Sequence, residues 1–145
     1  MEYLKIMILS MVPITELRGA IPIGMALKLN PIGVYLSSVI GSTLVAIPLV
    51  LAYRHVVKFF KEKNMFLFLL RRVDNKIETS MKKMKAASFI GIILFVGIPL
   101  PTTGTWTAAA IASILRMRLI EALNGIFIGN ILSGLIVSLL SYHIL

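Results

Sequence analysis

Met11-Val-Pro-Ile-Thr-Glu-Leu-Arg-Gly-Ala-Ile-Pro-Ile-Gly24 places an acid, Glu16, and a base, Arg18, in a run that is otherwise apolar and is punctuated by Pro13, Gly19 and Pro22. The surroundings decide what that means. Of the 145 residues, 58% are hydrophobic and 14% are charged, an apolar excess over a soluble domain. Residues 31–53 run for 23 positions without a charge, and residues 122–145 for 24. About 20 such residues cross a hydrocarbon core of about 30 Å. The fold class is therefore an all-α integral membrane protein, with residues 1–145 as one membrane domain. At bilayer depth ionised side chains are costly and mark functional positions. Irregular backbone there survives only when protein or a cavity surrounds it. The broken, charged segment is the first candidate for the site.

Four apolar blocks follow one another in two pairs. Residues 4–29 are broken by Pro and Gly, and 31–53 are whole; 86–115 are broken at Pro99, Pro101 and Gly104, and 119–142 are whole. The order broken, whole, basic linker, broken, whole divides the chain into a first repeat, 1–53, a linker, 54–85, and a second repeat, 86–145. At an offset of 88, Leu27 aligns with Leu115, Leu44 with Leu132 and Leu51 with Leu139. Internal repeats of this kind point to transporters. Helices over 86–98 and 105–115 would be roughly 20 Å and 16 Å long, too short to cross. The same holds for 4–12 and 19–29 around a turn at Glu16–Gly19. Each broken block is thus expected to be a re-entrant hairpin, the alternative being one interrupted crossing.

Charge favours the hairpins. Ten of the 15 Lys and Arg residues lie between Arg54 and Lys85. With two full crossings, Arg116 and Arg118 join them on one side, which the positive-inside rule makes cytoplasmic. The halves are then inverted and both termini lie outside. In the linker, Phe59, Phe60, Phe66, Leu67, Leu70, Val73, Ile77, Met81 and Met84 alternate with Lys and Arg at helical spacing, which predicts a basic amphipathic helix, or two broken near Asn64, in the interface and contact with anionic lipid headgroups. This accounts for the net charge of +9 without nucleic acid. The short run Leu4–Pro13 leads into Glu16 and Arg18, which predicts no cleavable leader. There is no cysteine, and His55 and His143 have no carboxylate cluster. No metal or other cofactor is expected.

Glu16 is read as a proton-coupling carboxylate, and Arg18, whose planar fork suits phosphate, as the partner of an anionic group. A structural Glu16–Arg18 pair closing the turn is the competing reading. The facing turn holds Pro99, Pro101, Thr102, Thr103, Gly104 and Trp106. A helix starting near Thr105 would offer its N–H groups to an anion, with Thr102 or Thr103 as N-cap. Trp106 lines a cavity or marks an interface. Substrate and proton binding is thus assigned to Glu16, Arg18, Gly19, Pro22, Pro99, Pro101, Thr102, Thr103, Gly104 and Trp106. Asn130 is read as interhelical glue. Gly125-x-x-x-Gly129 and Ser37-x-x-x-Gly41 are read as packing positions. No nucleophile–base pair or phosphate loop makes a case for an enzyme.

Thr15-Glu-Leu-Arg-Gly-Ala-Ile-Pro22 and Gly97-Ile-Pro-Leu-Pro-Thr-Thr-Gly-Thr-Trp106 resemble the signature of the small multi-drug export protein family of prokaryotes, a compact relative of the DedA (VTT-domain) superfamily. The resemblance covers nearly the whole chain. It implies re-entrant loops in inverted repeats within a prokaryotic cytoplasmic membrane. It also implies translocation of a lipid carrier such as undecaprenyl phosphate, driven by the proton-motive force. The DedA pattern usually has an arginine in its second loop; here Ile98–Gly104 carries no charge and Arg18 stands in the first. The leading expectation is a proton-coupled transporter of an anionic lipid carrier, working as a homodimer or larger. The alternatives are a proton-coupled exporter of cationic amphipathic drugs and a non-transporting scaffold acting through the basic helix.

Overall fold

A computed structural model describes residues 1–62, 81–101 and 103–144, and every regular element among them is a helix. These are α1 (Glu2–Met11), α2 (Glu16–Ala26), α3 (Pro31–Glu62), α4 (Met81–Gly97), α5 (Thr105–Ile114) and α6 (Leu119–Ile144). Two of them, α3 and α6, are long and apolar enough to cross a bilayer. At 32 and 26 residues they extend about 48 Å and 39 Å.

α1 stops because Pro13 disfavours helical geometry in the residue before it, and Val12 is extended at φ −75°, ψ 133°. The last carbonyls of a helix lack helical partners and take other donors. Here Thr15 Oγ1 donates to Leu9 O at 2.6 Å, Ser42 Oγ to Ser10 O at 3.0 Å and Trp106 Nε1 to Met11 O at 3.2 Å. The break therefore lies at Val12–Thr15. Gly19 and Pro22, expected to interrupt the segment, sit inside α2. One proline removes one hydrogen bond, and α2 keeps its geometry by packing on α1, α3 and α6. α3 also departs from expectation. It continues past Tyr53 to Glu62, because no Gly or Pro follows to stop it. Most of the expected basic amphipathic linker, residues 63–80, lies outside the described residues.

α3 and α6 pack antiparallel. Tyr35 pairs with Ile131, Thr43 with Asn130 and Arg54 with Met117, so one number falls as the other rises. The short helices are distributed across this pair. α1 lies along α3 and α4 along α6, whereas α2 reaches α6 and α5 reaches α3. Within each half the two short helices lie side by side. A Cβ on Gly24 would sit 3.3 Å from Ile6 Cδ1, and Ile92 and Ile111 face a common cavity. Glycines let the first legs approach closely: Gly41 backs onto Met7 and Ser10 of α1, and Gly129 onto Val96 of α4. The packing role expected of the two small-residue spacings holds at Gly41, Gly125 and Gly129. One core joins Ala46, Val50, Ile92, Ala108, Ala112 and Ile126; the other joins Ile6, Leu17, Ile21, Val34, Val39 and Val137.

One corner occurs twice, 88 residues apart. α2 ends in Lys28 at φ 57° and α5 in Arg116 at φ 54°. At the first, Lys28 N donates to Met25 O at 2.9 Å and Leu29 N to Gly24 O at 3.2 Å; at the second, Arg116 N donates to Ser113 O at 3.2 Å and Met117 N to Ala112 O at 3.0 Å. Both are Schellman caps with a cation where glycine is usual.

Candidate functional site

The two broken segments meet, and the first turn of α2 grips the second turn at both ends. Arg18 reaches the carbonyl ends of α4 and of the loop after it. Its Nη2 donates to Thr103 O at 2.6 Å and to Val96 O at 3.2 Å, Nη1 donates to Leu100 O, and Nε lies 3.5 Å from Ser133 Oγ. Ile98 O is also close, at 3.4 Å. The sequence provides for this locally. Pro99 and Pro101 disfavour helical geometry at Ile98 and Leu100, so their carbonyls turn to the loop, accepting from Leu100 N and Thr103 N, and to Arg18. Thr103 Oγ1 staples the same loop by donating to Ile98 O at 2.8 Å.

Glu16 takes the opposite end. Its carboxylate accepts from Trp106 N at 3.4 Å, and the Thr105 N–H also faces it, so it caps the start of α5. Gly104, the N-cap, makes no side-chain cap bond. It is needed for space, since any Cβ there would collide with the Glu16 carboxylate. Glu16 is 8% exposed and has φ 43°, a left-handed geometry that costs a non-glycine residue on the order of 1–3 kcal/mol.

The arrangement follows the helix dipole. An anion is favoured at a helix N-terminus and a cation at a C-terminus; α5 offers the first and α4 the second. The direct Glu16–Arg18 ion pair of the competing reading is not found among the described residues, where the ion pair is Lys5–Glu2. The other expectations resolve as follows. Thr103 lies in the loop staple and not at an N-cap, and Thr102 lies outside the described residues. The anion position at α5 is filled by the chain's own carboxylate. Half-buried, Trp106 ties the two turns together through Met11 O. Gly19 lies against Thr15 and Pro22 stands a turn further along α2.

Beneath the grip, Asn130 is fully buried; its Oδ1 accepts from Thr105 Oγ1 at 3.1 Å and its Nδ2 donates to Thr43 Oγ1 at 3.3 Å. It joins α3, α5 and α6, the glue expected of it. Ser133 and the Val96, Leu100 and Thr103 carbonyls escaped sequence reasoning. Backbone acceptors carry no residue signature.

Fold and site together define a class: an all-helical membrane protein whose polar centre is made by two interrupted segments held against two long spans. The family model of the small multi-drug export protein matches residues 16–136, and the chain belongs to that family. No curated protein and no solved structure matches it.

Proposed function

We propose that the protein is a proton-coupled exporter of cationic amphipathic molecules, in which Glu16 exchanges a helix N-terminus for a proton or a cation. The observation that carries this is the state of the Glu16 carboxylate. It is buried, strained and held by backbone N–H groups, with no ion pair to it among the described residues. A carboxylate in that setting can release α5 when it is neutralised or paired with a substrate. Arg18 then keeps the second turn in place, its donors being used on carbonyls. That use weighs against the lipid-carrier reading, which needs Arg18 turned to a phosphate.

The mechanism assumes two re-entrant hairpins in inverted repeats. The side-by-side short helices, the antiparallel α3 and α6 and the recurrent corner support this. The Arg54–Met117 contact supports placing Arg54, Arg116 and Arg118 on one side, which the charge bias makes the cytoplasm of a prokaryotic cell. Two full crossings per chain make a thin bundle, and we infer a homodimer or larger, which cross-linking in lipid will test.

The functional test is uptake of a cationic dye into proteoliposomes under an imposed pH gradient. Wild type should accumulate dye and Glu16→Gln should not. Equal uptake by both, or transport of a polyprenyl phosphate analogue in place of the dye, would overturn the proposal.

A further inference from the structure

At the offset of 88 that relates the two corners, Trp106 falls on Arg18, Thr103 on Thr15 and Gly104 on Glu16. The contacts keep the same register. Thr15 Oγ1 donates to Leu9 O at 2.6 Å and Thr103 Oγ1 to Ile98 O at 2.8 Å, so each threonine closes the end of its own first leg. Arg18 and Trp106 each cross to the other segment and donate to carbonyls where that leg ends. Arg18 reaches Val96, Leu100 and Thr103, and Trp106 Nε1 reaches Met11 O at 3.2 Å. The exchange is unequal. Arg18 spreads its donors over several carbonyls, whereas an indole has a single N–H to give.

That one bond falls where it matters to Glu16. The backbone N of Trp106 donates to Glu16 Oε1 at 3.4 Å, so a single residue holds both ends of the Val12–Thr15 break. The two ends are also linked along the chain, because Glu16 N donates to Val12 O at 2.8 Å, one residue beyond the carbonyl that the indole holds. Glu16 keeps φ 43°, and backbone of that kind persists only where its surroundings over-determine it. The carboxylate contact at 3.4 Å is long for a hydrogen bond and does not suffice alone. The indole bond at 3.2 Å is the tighter of the two.

We propose that Trp106 is the positioning residue for Glu16: its indole N–H anchors the break at Met11 and so keeps the Glu16 carboxylate at the start of α5. Its part in transport rests on the export reading of Glu16; the anchoring itself does not. A proton or cation that draws Glu16 off the helix end works against this anchor, and the anchor restores the carboxylate to its place when the ligand leaves.

The test is labelling of Glu16 by dicyclohexylcarbodiimide in the folded full-length protein, read by mass spectrometry of the peptide that contains it. A carboxyl drawn off the helix end is open to the reagent, so wild type should label slowly. Trp106→Phe should label about threefold to tenfold faster, the worth of one hydrogen bond. Trp106 replaced by 3-benzothienylalanine, which keeps the ring shape and puts sulfur in place of the N–H, should do the same. Gly125→Val, whose side chain would crowd Ile92 and Phe89 away from the grip, controls for plain loss of stability and should label like wild type. A wild-type rate in the benzothienyl variant would overturn the anchor, and so would equal acceleration by Gly125→Val. Because that variant preserves the packing of the ring, the test holds even where Trp106→Phe does not fold. Dye uptake by the same proteins separates the two readings. With wild type active, uptake should fall in the benzothienyl variant, and undiminished uptake there would remove Trp106 from transport. No uptake by wild type would overturn export, and the labelling rates would still decide the anchor.

Discussion

Arg18 is the residue whose loss should be felt most. Truncation to alanine removes a donor from the Val96 and Thr103 carbonyls, whereas Leu100 O keeps Thr103 N and Oγ1; a buried orphan costs about 1–3 kcal/mol. Arg18→Ala is expected to destabilise the protein by at least about 2 kcal/mol, seen as early thermal unfolding in detergent. Arg18→Lys should recover only part of this, because an ammonium has no planar fork. Gly104→Ala should cost about 1–3 kcal/mol by overpacking through its collision with Glu16. In a Glu16→Ala background the same change should cost far less, and a double-mutant cycle measures the difference. The importance of Glu16 and Arg18 is visible in the sequence, since charges in an apolar, broken run stand out. Their partners are not. Read as a sequence, Glu16 suits a proton and Arg18 an anionic group, with a mutual pair as the competing reading. The fold instead gives each a helix end more than 75 residues away.

Among the elements, the long helices were legible from their charge-free runs, and the limits of α4 and α5 came close, because Pro99, Pro101 and Gly104 break the chain unmistakably. The first break was misplaced. Three breakers, Pro13, Gly19 and Pro22, compete there, and packing on three neighbours lets α2 carry two of them. The recurrent corner yields its own prediction. A lysine at φ 57° is disfavoured by about 1 kcal/mol relative to glycine. Lys28→Gly should therefore raise stability by about that amount in denaturant or thermal unfolding, with transport unchanged. Gly129→Val acts in the other direction. Its side chain would meet Val96, where even a Cβ stands 2.5 Å away, and should part α4 from α6 at a cost of about 1–3 kcal/mol.

For the whole molecule, the proposed hairpin topology would put Lys58 and Arg116 on one side of the membrane and Lys28 on the other. The chain has no native cysteine, so single cysteines at these positions can be labelled with an impermeant reagent from either face. Four crossings would instead separate positions 58 and 116. The grip between distant segments also has a consequence in time. Arg18 leaves the ribosome some 80 residues before its acceptors at 96–103, an interval of roughly 4–16 s at 5–20 residues per second. A guanidinium without those carbonyls is expensive in hydrocarbon. The N-terminal segment is therefore expected to wait near the membrane surface and to sink to depth only after α4 has been made. A ribosome stalled before residue 96 should leave position 18 open to aqueous reagents, and one stalled well after residue 114 should leave it protected.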